Sequence, residues 1–145
     1  MNILGIDYGK THLGLAFSPD RKVSYQLSTI SYQQETEAVE KVKKMCEEYE
    51  ISQIVIGLPL DQKGNLSKQA EKTKGFGGAL EKTLNLHKKI KISYWNETLT
   101  STEALQKMLE AQVPRYKRKE LEHSFAAQIV LQEYLDFHCS ESQNF

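Results

Sequence analysis

Hydrophobic and polar positions along this chain alternate between two periods. Short apolar or every-second-residue runs give way to stripes that recur every three to four residues, and then return. Ile3-Leu4-Gly5-Ile6 is an uninterrupted apolar run, the pattern of a central strand covered on both faces. A turn at Tyr8 to His12 leads into a second run from Leu13 to Phe17, and Val23 to Ile30 alternates as a third strand. The first two runs are too close for a crossover, so they should pair as an antiparallel hairpin.

The period then changes. Ala38, Val39, Val42, Met45, Cys46 and Tyr49 recur at helical steps behind a possible capping box at Ser31 and Gln34. Ile54-Val55-Ile56-Gly57 reads as a short buried strand, followed by a loop through Pro59, Asp61 and Gly64. A helix can start at Ser67 with Phe76, Leu80 and Leu84 as its apolar stripe, although Gly75, Gly77 and Gly78 should weaken it. Lys91 to Trp95 gives the last strand, Thr100 with Glu103 caps a helix near 101–110, and Leu121 to Phe137 forms a final long helix behind a basic loop. The pattern predicts one α/β domain over 1–137, with a polar tail over 138–145 that frays.

Composition narrows the partners. The chain has 145 residues, 39% hydrophobic and 26% charged, which suits a single globular domain. Its most apolar stretch, 51–60, is interrupted by Gln53, Gly57 and Pro59, so no membrane span is expected, and with no apparent leader a cytoplasmic location is expected. Two cysteines, Cys46 and Cys139, lack metal-site spacing and are expected to stay reduced, without structural zinc. Nineteen basic residues balance nineteen acidic ones, so any attraction to nucleic acid must come from a local patch.

Two acids fall where strands end. Asp7 closes the first strand and Glu97 follows the last. If those strands lie parallel in one sheet, both carboxylates reach the rim where α/β sheets bind ligands. Paired carboxylates repel unless a cation sits between them, and hard divalent ions favour oxygen ligands. The bland reading is that Asp7 caps a turn and Glu97 starts a helix as a solvated acid.

GIDYG at 5–9, the LG pair at 13–14, IVIGLPL at 54–60 with Gly64 and Gln69, NETLTSTEA at 96–104 and FAAQIVLQEYLD at 125–136 keep one order along nearly the whole chain. Together they resemble the YqgF family, the pre-16S rRNA nucleases also described as Holliday junction resolvases. The resemblance implies a ribonuclease H-like fold: a five-stranded mixed sheet, three leading antiparallel strands and then two parallel ones, flanked by helices. It also implies a cytoplasmic, metal-dependent nuclease acting on nucleic acid, with pre-16S rRNA as the expected substrate, Mg²⁺ or Mn²⁺ as cofactor, and a monomer or weak homodimer. Asp7 matches the family's first acid and Glu97 the glutamate of its Asp-Glu-Arg triplet.

Departures gather around the same proposed site. The family usually has an aspartate three residues before Ala126, where this chain has His123. Imidazole can ligate a metal but brings no negative charge, which shifts the preference from Mg²⁺ toward Mn²⁺. Equally, His123 could be a simple polar residue in the helix's first turn. Glu122 is turned about 100° around the helix and substitutes poorly. The triplet reads Asn96-Glu97-Thr98, losing a flanking acid and a phosphate-holding arginine. Lys10-Thr11-His12 stands where relatives commonly show a Lys-Arg pair one position later. Asp7, Glu97 and His123 are therefore the expected metal ligands and catalytic residues. Lys10 and Thr11, with Arg115, Tyr116, Lys117, Arg118 and Lys119 of the basic loop, are the expected nucleic-acid contacts.

Two rivals stand beside this reading. GIDYGKT also resembles the first phosphate loop of actin-like ATPases and sugar kinases, but those need two lobes and this chain supplies one. Alternatively, the fold serves as a binding module for RNA or ribosome assembly that has lost efficient hydrolysis. His123, Asn96 and Thr98 favour that alternative, and the retained Asp7 and Glu97 oppose it.

Overall fold

A computed structural model of the chain describes residues 2–59, 67–85, 89–96 and 100–142, with the backbone alone at 100–104, 119–120 and 139–142. The expected loop positions Asp61 and Gly64 lie outside the described residues. Five strands form one mixed sheet: β1 (Asn2–Tyr8), β2 (His12–Ser18), β3 (Tyr25–Ser31), β4 (Ile51–Leu58) and β5 (Lys91–Asn96). Their order across the sheet is β3-β2-β1-β4-β5. β1, β2 and β3 pair antiparallel, whereas β4 is parallel to both β1 and β5. Among the described residues, four helices complete the fold: α1 (Glu35–Glu48), α2 (Lys68–Leu84), α3 (Thr100–Glu110) and α4 (Arg115–Ser142). Among the described residues, no helix is long and apolar enough to cross a membrane.

Side chains alternate between the two faces of the sheet, and both faces are covered. Leu4, Ile6, Leu13, Leu15, Ile54 and Ile56 join Val39 and Val42 of α1 and Phe76 and Leu80 of α2 in the larger core. Each such burial contributes about 1.5–3 kcal/mol. Ile3, Ala16 and Val55 face the other way, against Ala127, Val130, Leu131 and Tyr134 of α4. A third cluster joins α3 to α4 through Met108, Phe125, Ala126 and Ile129.

Local expectations fared unequally. Ser67 caps α2 by accepting the Ala70 N–H at 3.1 Å. The three glycines do not break α2. A Cβ at Gly77 would meet the Tyr94 hydroxyl at 2.1 Å, so this glycine makes room for the Tyr94 side chain, and packing overrides the weak propensity. Ser31 is the last residue of β3 rather than a cap, and α1 starts after Gln34 with no side-chain cap hydrogen bond. The Glu37 carboxylate instead accepts the Gln33 N–H at 3.3 Å. The Thr100–Glu103 capping pair concerns side chains outside the described residues.

The last helix differs most from expectation. α4 begins at Arg115, so the basic stretch is helical rather than a loop. It also continues to Ser142, where a frayed tail was expected. The cause lies in the sequence: Pro114 precedes the first turn, and neither Gly nor Pro interrupts 115–142. Near the end, the His138 ring packs on Tyr134 with centroids 4.2 Å apart.

Candidate metal and nucleic-acid site

β1, β4 and β5 run parallel, so their C-terminal ends share one rim. Asp7 stands there beside Gly14 of β2, its register partner. Ile3, Gly5 and Asp7 alternate onto the face that α4 covers, which makes Asp7 the polar end of an otherwise apolar row.

Glycines bring α4 to this acid. A Cβ built at Gly14 would lie 1.8 Å from the His123 carbonyl oxygen, and one at Gly5 would lie 2.8 Å from the Leu131 Cβ. Only a residue without a side chain admits the helix backbone at Gly14. Because Gly14 sits across from Asp7, the same close approach sets the His123 side chain over the carboxylate. His123 Nδ1 lies 2.8 Å from Asp7 Oδ2. The ionised carboxylate can only accept, so the imidazole N–H donates. Side-chain exposure is 31% for His123 and 13% for Asp7, which places the pair at the edge of water.

That bond sets the electrostatics. The Asp7 hydrogen bond raises the His123 pKa above its ordinary value; burial opposes this, while the charges of Asp7 and Glu122 reinforce it. The His12 ring lies parallel to His123, 4° between planes and 5.9 Å between centroids. Thr11 Oγ1 is 2.8 Å from His12 Nδ1. Underneath, the Gly9 N–H donates to the His12 carbonyl at 2.8 Å, and the Tyr32 N–H donates to the Thr11 carbonyl at 3.0 Å. The Tyr32 hydroxyl also donates to the Gly9 carbonyl, and burial pushes its pKa well above the usual phenol range. The turn that follows Asp7 is therefore braced by Tyr32, the residue directly after β3.

Of the residues expected from sequence, Asp7 and His123 meet. His123 is the ninth residue of α4, not in its first turn, because the helix starts earlier. Glu97 lies outside the described residues; β5 ends just before it at Asn96, which pairs with Leu58 on the shared rim. Two strand spacings, about 10 Å, separate the ends of β1 and β5. Lys10 and Thr11 are exposed in the turn after β1. Arg115, Tyr116 and Lys117 are exposed on the first turn of α4, with Tyr116 at 80%. The Lys117 ammonium sits 5.9 Å from the centre of the Tyr116 ring, and Arg118 donates to the Val113 carbonyl at 3.3 Å. The Lys119 side chain lies outside the described residues. At 1.5 Å per residue, Arg115 to Arg118 begin roughly 7–12 Å along the axis from His123. The sequence reading missed the parts played by His12, Gly14 and Tyr32. The available signal was a histidine and a glycine flanking Leu13 directly after the acid-bearing turn.

The donor set suits a divalent cation as far as it is described. A carboxylate oxygen and an imidazole nitrogen meet; a cation at about 2.0–2.2 Å from each would bind both once the shared proton leaves and the two side chains turn off their hydrogen-bond line. Among the described residues, no group of three or more His, Cys, Asp or Glu side chains is placed to hold a metal.

A mixed sheet of this order, with an acid ending its first strand and a long helix laid across it, defines the ribonuclease H-like class. Solved structures agree on the fold. T. thermophilus RuvC in complex with a Holliday junction substrate matches with a TM-score of 0.60 at 14% identity, covering 97% of this chain and 96% of that one. The fowlpox virus resolvase in complex with Holliday junction DNA matches with a TM-score of 0.53 at 12% identity, over 93% and 99%. More specifically, the family described as "RuvX: Holliday junction resolvase" matches residues 1–137, and the chain belongs to that family, which is also called YqgF. Relatives from Clostridium acetobutylicum and Clostridium botulinum are each 39% identical over 137 residues. The match covers 94% of this chain and 98% and 97% of theirs, and both carry the name "Putative pre-16S rRNA nuclease". The family is one of phosphodiester-hydrolysing enzymes.

Proposed function

We propose that this protein is a divalent-metal-dependent nuclease that cleaves a phosphodiester bond during maturation of pre-16S rRNA, with Asp7, Glu97 and His123 as metal ligands. The observation that carries the reading is the 2.8 Å approach of His123 to Asp7 at the rim where three parallel strands end. The names of the relatives support RNA as substrate. When bound, a divalent cation would supply charge stabilisation for the phosphoryl oxygens and a more acidic water. The chain's own part is to hold that charge rigidly: Asp7 is fixed on a strand, and His123 is fixed by helix backbone pressed against Gly14.

Lys10, Thr11 and the first turns of α4, from Arg115 through Lys119, hold the nucleic-acid backbone in this reading. Tyr116 offers a ring for an unpaired base. Affinity should therefore fall steeply as salt rises, and a salt-independent affinity would remove the basic turn from the interface.

The direct test is cleavage of a pre-16S substrate and of branched DNA with Mg²⁺ or Mn²⁺. Cutting of the RNA that needs metal and disappears in Asp7→Asn supports the reading. Cutting that survives this variant contradicts it. One observation favours a second reading, a binding module of the same fold: His123 donates its proton to the acid that should hold the metal. Tight RNA binding without cleavage under any metal would select it.

A further inference from the structure

A cleft of about 510 Å³, lined by Thr11, His12, Ser31, Tyr32, Gln33 and Glu37, is connected to the Asp7–His123 pair through His12, whose ring stacks on that of His123. We propose that this cleft seats an unpaired nucleobase next to the bond being cut, and that Glu37 selects bases carrying an amino group over uracil. The proposal deepens the nuclease reading and rests on it.

Position comes first. His12 is the shared wall, since its ring lies parallel to His123 and also lines the cleft. The cleft thus begins one side chain away from the proposed metal ligands. Its volume falls within the range of small-molecule sites, roughly 300–1,000 Å³, which leaves room for a base.

Its walls are held in place. Tyr32 ties the floor to the turn through its own N–H and its hydroxyl. On the far side, Lys41 Nζ lies 3.0 Å from Glu37 Oε1 and donates to the Ser31 carbonyl at 3.1 Å. Glu37 Oε2 accepts the Gln33 N–H. The nearby lysine holds the Glu37 pKa below its ordinary value, so the carboxylate stays ionised.

Chemistry then decides the ligand. An ionised carboxylate repels a phosphate, and the one lysine described beside it is already engaged with Glu37 and Ser31. Flat donor-bearing groups suit the site better. A carboxylate has about four acceptor positions, of which two are taken, so two remain for a base edge. Guanine presents adjacent imino and amino N–H groups, and cytosine and adenine each present an amino group. Uracil presents a single N–H flanked by two carbonyl oxygens, which face the carboxylate unfavourably. Glu37 lies on the first turn of α1 and is exposed, so exchanging it for glutamine leaves the core untouched.

The test uses the full chain with EDTA, so that binding is read without cleavage. Fluorescence anisotropy is measured with pentauridine and with the same oligomer carrying central G, C or A, in both RNA and DNA form. Tighter binding of the guanine oligomer than of pentauridine, by about tenfold, is expected in at least one series. Glu37→Gln should erase that preference by weakening guanine binding and relieving the unfavourable contact with uracil, in a chain whose circular dichroism shows the native fold retained despite the lost Lys41 pair. Binding without base preference, or a preference unmoved by Glu37→Gln, overturns the cleft assignment and leaves the nuclease reading standing. No binding of any oligomer overturns the cleft assignment, and the cleavage assay decides the nuclease reading separately.

Discussion

The two faces of the sheet are built from different residues for different ends. Toward α1 and α2 the strands present Leu4, Ile6, Leu13, Leu15, Ile54 and Ile56, large side chains that fill space. Toward α4 they present Ile3 and Val55 together with the small Gly5, Gly14 and Ala16 and the acid Asp7, and the helix backbone comes down where side chains are missing. Bulk stabilises the first face. On the second, its absence at Gly5 and Gly14 permits the approach that joins Asp7 to His123. Stability and chemistry are thus separated by the two-residue alternation of the same strands.

Substitutions on each face should therefore fail differently. The largest effect is expected at Gly14→Ala, because the new Cβ meets backbone, which cannot rotate away. The cost should exceed the usual overpacking range of about 1–3 kcal/mol, and the Asp7–His123 bond should be lost; urea denaturation and His123 NMR shifts read the two effects. On the opposite face, Phe76→Ala should cost about 3–5 kcal/mol through the cavity it leaves, yet retain the His123 shifts at low temperature. Equal loss of those shifts in both variants would break the distinction.

Smaller effects sharpen it. Tyr32→Phe removes one hydrogen bond to Gly9 and should cost about 1 kcal/mol, read by the same denaturation. His123 gives a gentler pH signature. Its folded pKa is raised, so its stabilising contribution is complete below the unfolded value of about 6.5 and is lost as pH rises through the folded value. Thermal unfolding across that window should show a decline that His123→Gln lacks.

Much of the bulky face was legible in the sequence, because continuous apolar strands and helical stripes announce themselves. The Ser67 cap was legible for the same reason: it is local. What misled was local evidence overruled by packing. Ser31 looked like a cap but is taken up by β3, and RYKRK looked like a loop although nothing in it stops a helix. The site was half legible. Asp7 follows from its place at a strand end, whereas His123 was singled out by family resemblance, since no spacing links positions 116 residues apart. The role of Gly14 depends on register with Asp7, which a sequence does not display. Glu97 remains a proposal that follows from the resemblance and from where β5 ends.

The central claim is that Asp7 and His123 together hold a divalent cation, and paramagnetic Mn²⁺ reads it most directly. Substoichiometric Mn²⁺ should broaden the His123 imidazole resonances of the native chain first, and Asp7→Asn should abolish that broadening while leaving the remaining spectrum folded. Broadening that spares His123, or that persists unchanged in Asp7→Asn, would contradict the account.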